Sequence, residues 1–313
     1  MAKFLVTGGC GFIGSNIVEH LVQKGEEVRV LDNLSTGRRE NITAFEGRLD
    51  FVEGDLLDPG AVKRAVAGVD YVLHQAALPS VQRSVEDPEM SDRINVGGTV
   101  ALLNACRLAG VKRVVYAASS SAYGDQPAAV KTEKLLPLPK SPYAVSKLTG
   151  EYYMQAFSAC YGLETVSLRY FNVFGPRQDP NSEYSAVIPL FISRVLRGES
   201  PTIYGDGQQT RDFTFVENNV LANVAAATAP GASGRVFNVA CGTSFSLLDL
   251  LREINETLAT SVEPVFAPAR KGDVRHSLAD ISAAEKAIGY KVAVDFREGL
   301  RRSIEWYRRA LNL

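Results

Sequence analysis

Thr7-Gly8-Gly9-Cys10-Gly11-Phe12-Ile13-Gly14-Ser15 is the stretch that decides the fold. It follows an apolar strand-like run, Phe4–Thr7, and opens a helix-like run, Ile13–Lys24. That is the setting a dinucleotide-binding turn requires. Gly8 lets the chain turn tightly, Gly11 lets the backbone approach a pyrophosphate, and Gly14 lets the helix pack closely on the sheet. The start of the helix then offers unpaired N–H groups and a positive dipole end to an anion.

Outward from this turn, short β-branched runs alternate with helical stretches. The predicted strands are Phe4–Thr7, Val28–Asp32, Asp50–Glu53, Tyr71–His74, Arg113–Ala117 and Thr165–Arg169. Between them lie helices at Ile13–Lys24, Pro59–Ala67, Pro88–Ala109 and Pro142–Tyr161. Such alternation predicts an α/β fold, a Rossmann-type doubly wound parallel sheet covered on both faces. After Asn172 the pattern changes. Gly175–Glu183 reads as a loop and Pro201–Thr210 as turn-rich, with helices at Ile188–Arg197, Val216–Ala227, Leu247–Leu258, Ile281–Ile288 and Arg297–Leu311. The expected division is residues 1–172 as a dinucleotide-binding domain and 173–313 as a smaller C-terminal substrate lobe. Residues 211–242, with a strand at Val236–Ala240, return to the first unit.

Composition narrows the class. The 313 residues are 46% hydrophobic and 22% charged, with 34 basic against 35 acidic side chains. A near-zero net charge with scattered basic residues gives no reason to expect nucleic acid or an anionic membrane as partner. No run of ~18 apolar residues suggests a membrane span, and no signal segment precedes the first strand, so the expected location is cytoplasmic. Cys10, Cys106, Cys160 and Cys241 form no CxxC pair. They are read as reduced, and no metal site is expected.

Asp32 closes the second strand, 18 positions after Gly14. An acidic residue ~20 positions on accepts hydrogen bonds from the adenosine ribose and repels a 2′-phosphate, so NAD is expected rather than NADP. Arg38 and Arg39 are the counter-signal, since arginine can hold that phosphate. Asp55 reads equally well as a contact to the adenine edge or as a cap for the helix near Pro59.

Tyr143-Ala144-Val145-Ser146-Lys147 places a phenol and an ammonium four apart, on one helix face. Ser119-Ser120-Ser121 sits at the C-terminal end of a predicted strand, where ligands of open α/β sheets collect. A tyrosine with an ordinary pKa near ~10 is a poor base at neutral pH. A nearby ammonium and a cationic nicotinamide both stabilise its phenolate. His74, His276, Trp306 and Tyr307 are read as structural.

Seven stretches in this order resemble the extended short-chain dehydrogenase/reductase family. They are Thr7–Ser15 (in that family's GxxGxxG form), His74-Gln75-Ala76-Ala77, Ala117–Gly124, Tyr143–Lys147, Arg169-Tyr170-Phe171-Asn172, Arg211-Asp212-Phe213 and Gly272–Asp280. Within the family the chain resembles the UDP-hexose 4-epimerases, particularly those that accept N-acetylated sugars. The resemblance implies an NAD site lined by Gly8, Gly11, Phe12, Ile13, Gly14, Asp32, Asn33, Leu34, Ser35, Thr36, Gly37, Asp55, Leu56, Gln75, Ala76, Ala77, Asn95, Tyr143, Lys147, Tyr170 and Phe171. It implies catalysis by Ser119, Tyr143 and Lys147. The UDP-sugar would meet Ser119, Ser120, Ser121, Tyr143, Asn172, Val187, Tyr204, Arg211, Arg270, Asp273 and Ser277. Ser277 matches the position bordering the sugar 2-substituent, where a small side chain leaves room for an N-acetyl group. The resemblance also implies a homodimer, paired through the helices Pro88–Ala109 and Pro142–Tyr161.

Related chemistries are separated by few residues. A 4,6-dehydratase of this family carries Asp-Glu directly after the catalytic Ser/Thr, where this chain has Ser120 and Ser121. A non-catalytic NAD-sensing relative loses the Tyr or the Lys, and both are present. UDP-glucuronate 4-epimerisation needs the same central residues and stays open.

Overall fold

A computed structural model describes residues 1–180, 186–269 and 275–312. The chain opens with β1 (Lys3–Thr7), α1 (Phe12–Gln23), β2 (Glu27–Asp32), β3 (Asp50–Glu53), α2 (Pro59–Val66) and β4 (Tyr71–His74). Then come α3 (Val81–Glu86), α4 (Pro88–Asp92), α5 (Thr99–Ala109), β5 (Arg113–Ser119), α6 (Pro142–Tyr161) and β6 (Glu164–Tyr170).

The second part holds β7 (Val173–Phe174), α7 (Val187–Leu196), β8 (Thr202–Tyr204), β9 (Thr210–Arg211), β10 (Thr214–Phe215) and α8 (Val216–Thr228). It ends with β11 (Arg235–Val239), β12 (Phe245–Ser246), α9 (Leu247–Leu258), β13 (Val265–Ala267), α10 (Ser282–Ile288) and α11 (Phe296–Ala310).

Seven strands form one sheet in the order β11-β6-β5-β4-β1-β2-β3, with every pairing parallel. This is the doubly wound fold read from the sequence. Alternation along the strands sends Phe4 and Val6 into one core with Ile17 and Val18 of α1. Leu5 turns to the other face, with Val62 of α2 and Leu102 of α5. Because both faces are covered, the strands read as nearly continuous apolar runs. A third core lies outside the sheet, where Phe174, Phe213, Phe215 and Phe296 pack with Ile188, Leu250 and Ile304.

Two expectations need correction. Pro88–Ala109 is not one regular helix: α4 and α5 are joined by a π-helical segment over Arg93–Gly98. Such bulges gather at functional sites, and this one buries the side chain of Asn95. Pro201–Thr210 is not all turn, because β8 pairs in parallel with β13. Three-residue strands leave too little periodicity to be read. α3 was likewise unforeseen.

How closely α6 seats on the sheet depends on Gly150. A Cβ there would meet the Tyr116 hydroxyl at 2.3 Å and the ring at 2.5 Å. Gly150→Ala should therefore cost about 1–3 kcal/mol by overpacking. Combined with Tyr116→Phe the loss should fall short of the sum, because the two groups collide directly. Additive urea-unfolding free energies in that double-mutant cycle would refute the contact.

Candidate active site

The glycine turn is built tightly. Gly8 adopts φ +68°, and a Cβ at Gly14 would stand 2.1 Å from the Gly8 carbonyl oxygen. Gly11 is the N-cap of α1 and makes no side-chain hydrogen bond, so the N–H groups of the first turn face outward uncapped. A diphosphate fits this cradle, and Cβ atoms would fill it.

Asp32 is buried and works first as a structural clasp. Its carboxylate accepts from the N–H of Cys10 (2.9 Å) and of Leu34 (2.8 Å). Burial pushes its pKa up, and these two hydrogen bonds oppose that. Leu34 takes a left-handed φ of 57° to reach it. A Cβ on Gly37 would come within 2.9 Å of both Asp32 oxygens. The loop of Leu34, Ser35, Thr36 and Gly37 thus folds back over the aspartate. Asp55 is not the cap of α2. Asp58 is, accepting from Gly60 N–H at 2.8 Å. Asp55 instead accepts from Asn33 Nδ2 at 2.6 Å and from Leu57 N–H at 2.8 Å, which leaves it at the rim beside Leu56. Arg38 turns to Asp179. Arg39 pairs with Glu46 and lies 3.8 Å over the Phe51 ring. Both counter-signals for a 2′-phosphate are engaged elsewhere.

A buried relay joins this turn to the opposite wall. Thr7 Oγ1 lies 2.7 Å from His74 Nδ1, and His74 Nε2 lies 3.0 Å from Thr99 Oγ1. Thr99 donates its hydrogen to the Asn95 carbonyl at 2.6 Å. His74 must therefore carry its proton on Nε2 and accept from Thr7. Burial pushes His74 down to about 3, so it is neutral and structural. Asn95 then accepts from Leu78 N–H (2.8 Å) and donates to Ser146 Oγ (3.1 Å). Ser146 Oγ donates to the Tyr143 carbonyl at 2.9 Å. Ala76 N–H donates to Thr7 Oγ1 at 3.3 Å, and Ala77 follows it. Gln75, Tyr170 and Asn223 close a hydrogen-bonded triangle beside them. Phe171 is buried with Tyr123, Ala240 and Ala279, so its ring does not face the cleft.

The residues read as catalytic meet where β5 ends and α6 begins. Ser119 ends β5, and its Oγ accepts from Ser121 N–H (3.2 Å) and Ser121 Oγ (2.8 Å), with Ser120 between them. Tyr143 is half-buried at the start of α6. Burial raises its pKa, and a hydrogen bond with Ser119 opposes the rise. Lys147, one turn on, is buried and donates to the Ala117 carbonyl at 2.9 Å. Burial pushes it down to about 8, against the pull of Glu151. The start of α6 is fixed by a residue the sequence did not flag: Tyr143 N–H donates to Ser84 Oγ of α3 at 3.0 Å.

The residues assigned to the sugar nucleotide fall on several segments. Asn172 has a left-handed φ of 35° and donates to the Asp212 carbonyl at 3.1 Å. Val187 begins α7, and Tyr204 ends β8 partly exposed. Arg211 on β9 donates to the Thr210 carbonyl at 2.9 Å. Ser277 N–H donates to the Thr210 carbonyl at 3.1 Å, which sets half-buried Ser277 beside β9. His276 braces the same strand, with Nδ1 3.0 Å from Thr210 Oγ1. Arg270 and Asp273 lie outside the described residues. Asp212 went unread despite its place in the Arg211-Asp212-Phe213 stretch. It is fully buried and gathers the N–H groups of Cys241 (2.9 Å), Gly242 (3.0 Å) and Ala279 (3.2 Å). Among the described residues no group of three His, Cys, Asp or Glu could hold a metal, and no helix is long and apolar enough to cross a membrane.

A phosphate turn on a doubly wound sheet, with Ser, Tyr and Lys at the strand end, defines a nicotinamide-dependent short-chain dehydrogenase/reductase site. The comparisons agree. Residues 4–240 match the NAD dependent epimerase/dehydratase family, and the chain belongs to it. It is 39% identical over 310 residues to the UDP-glucose 4-epimerase of Mycolicibacterium smegmatis, spanning 98% of each chain. Among solved structures it resembles the UDP-N-acetylglucosamine 4-epimerase of Methanobrevibacter ruminantium M1 in complex with UDP-N-acetylmuramic acid (TM-score 0.94, 41% identity, 99% of each chain). It also resembles the UDP-glucose 4-epimerase of Thermus thermophilus in complex with NAD (TM-score 0.89, 39% identity, 98% of this chain and 99% of that one). Sugar-nucleotide dehydratases and a decarboxylase are among its relatives too. The protein is an NAD-dependent epimerase.

Asp212 gives this site a pH signature. Burial raises it from 3.8 to about 6. A raised folded pKa gives stability that is full below the unfolded value and lost as pH rises through the folded one. Urea unfolding should show wild type losing stability relative to Asp212→Asn between about pH 4 and about pH 6.5. A difference independent of pH would rule out this titration.

Proposed function

We propose that the protein inverts C4 of a UDP-linked hexose, acting on UDP-GlcNAc and UDP-GalNAc and also on UDP-Glc and UDP-Gal. The observation that carries this reading is the convergence of Ser119, Tyr143 and Lys147 at the end of β5. The glycine turn and Asp32 stand across the sheet from them. The turn and Asp32 would hold the pyrophosphate and adenosine ribose of NAD, and Lys147 its nicotinamide ribose. NAD, when bound, supplies a two-electron oxidant that removes and returns the C4 hydrogen, and a positive charge beside Tyr143.

Tyr143 then serves as base toward the sugar 4-hydroxyl. That role needs its pKa brought down against burial. Ser119 contributes one hydrogen bond to this, and the positive charge of bound NAD would add to it. The same phenol returns the proton to the 4-keto sugar after the sugar has turned about its diphosphate link. Such a turn requires the UDP end to be anchored and the sugar to be loosely held. Arg211 and Arg270 are assigned to the diphosphate, Tyr204 to the uracil face, and Asn172, Val187 and Asp273 to the rest of the UDP. The C-terminal residues 173–313 thus act mainly as the UDP-sugar lobe. Half-buried Ser277 leaves room beside the sugar, and the likeness to a UDP-N-acetylglucosamine 4-epimerase supports acceptance of the acetylated pair.

We assign the working form to a homodimer. Val85, Met90, Leu108, Val145, Tyr152 and Tyr161 present exposed apolar side chains on α3, α4, α5 and α6, the kind of surface a second copy would cover.

Three measurements test this reading. Incubation with UDP-GlcNAc, UDP-Glc and UDP-GlcA separately, without added reductant, should yield C4 epimers of the first two by NMR; conversion of UDP-GlcA alone would overturn the substrate assignment. Tyr143→Phe should keep NAD bound while lowering turnover ~10²–10⁴-fold; near-normal turnover would remove Tyr143 from the mechanism. Ser277→Tyr should suppress the acetylated substrate and spare UDP-Gal, and equal losses on both would refute the gate.

A further inference from the structure

Beneath Tyr143 and Lys147, on the same helix face, α6 buries a carboxylate. Glu151 is one turn beyond Lys147, and the side chains of both are sealed from solvent, with Glu151 at 1% exposure. Arg169 of β6 grips it in a fork, donating from Nε to Oε1 at 2.9 Å and from Nη2 to Oε2 at 2.7 Å. The guanidinium also lies 4.6 Å over the Tyr123 ring. The geometry points to Glu151 as a positioning residue for the reaction: its carboxylate supports the ammonium of Lys147, and Arg169 fixes that carboxylate in place. Burial raises Glu151, and Arg169 opposes that rise.

The surroundings of Lys147 leave this task to Glu151. From β5, the Ala117 carbonyl takes one hydrogen bond, and the Tyr116 ring lies 4.9 Å from Nζ. Burial keeps the Tyr116 phenol protonated, so it carries no charge. His74 of β4 is neutral for the same reason. Burial also raises Tyr143, on the helix itself. Glu151 is thus the carboxylate one helical turn from Lys147, and Arg169 of β6 grips it. Burial pushes Lys147 down to about 8, and Glu151 is the group that opposes this. A buried cation of that kind needs a partner. Carboxylate and ammonium four apart on a helix lie ~5–6 Å apart at Cβ.

The pair has an evident rival role, holding α6 to β6, and a pH profile separates the two. The inference rests on the role proposed for Lys147, so Lys147→Met is measured beside it. In holoenzyme, Glu151→Gln should move the descending, alkaline limb of kcat to lower pH by about 1–2 units, with the substrate KM little changed. A purely structural residue would scale kcat equally at every pH. Glu151→Gln leaves Arg169 buried beside a neutral amide, so Glu151→Gln/Arg169→Met is the second variant; it removes both charges and keeps the packing. Its alkaline limb should move the same way by less, because the farther cation is removed with the nearer anion. A profile parallel to wild type in either folded variant overturns the inference. Wild-type turnover in Lys147→Met would instead overturn the site itself.

Discussion

An ammonium buried against the sheet is the constraint around which this protein's catalytic side is arranged. Lys147 has one carbonyl, one aromatic face and one nearby carboxylate in place of water. Such a group is tolerable only if α6 lies close on β5 and β6. Gly150 allows that approach by leaving space for the Tyr116 hydroxyl. Ser84 fixes the first turn of the helix from α3. With α6 seated, Tyr143 comes to the end of β5, beside Ser119. The position of the phenol is therefore a consequence of how the helix is buried, not of any contact made by Tyr143 alone.

The dinucleotide turn and the phenol belong to distant parts of the chain but not to independent structures. From Thr7 through His74, Thr99, Asn95 and Ser146 to the Tyr143 carbonyl runs an unbroken line of buried hydrogen bonds. A neutral His74 with one defined tautomer gives the line a direction. The π-helical segment is what lets Asn95 enter it, since a regular helix would place that side chain at a different angle. Buried networks of this kind are satisfied as a whole or destabilising as a whole. The two walls of the cleft are thereby held at one separation.

What the sequence disclosed follows from which features are local. The glycine turn, the four-residue Tyr143–Lys147 spacing and the alternation of strands and helices each lie within a short window, and all of them stand in the structure. The parallel sheet needed no long-range information beyond the rule that crossovers place such strands side by side. The features that were missed join residues far apart in the chain. Ser84 meets Tyr143 from 59 positions away, Asp212 meets Cys241 and Ala279 from 29 and 67, and Arg169 meets Glu151 from 18. Glu151 and Asp212 stood inside or beside quoted motifs, yet nothing local says that a carboxylate will be buried. Asp55 shows the same limit at short range: spacing alone did not choose between an adenine-edge contact and the helix cap, which Asp58 in fact provides.

The substrate side obeys a different rule from the catalytic side. On the proposed mechanism the sugar would present first one face and then the other to a single oxidant, so its own contacts would have to be weak. Rigidity therefore has to come from beneath the site. Asp212 provides it by drawing together the ends of three segments, at residues 212, 241–242 and 279, through backbone N–H groups alone. Hydrogen bonds to a buried carboxylate are strong and insensitive to which side chains the segments carry. The chemistry at positions 211 and 277, which flank this knot, can then vary without loosening the frame. A frame held this way leaves position 277 open to substitution while Tyr143, Ser119 and Lys147 stay where the packing of α6 puts them.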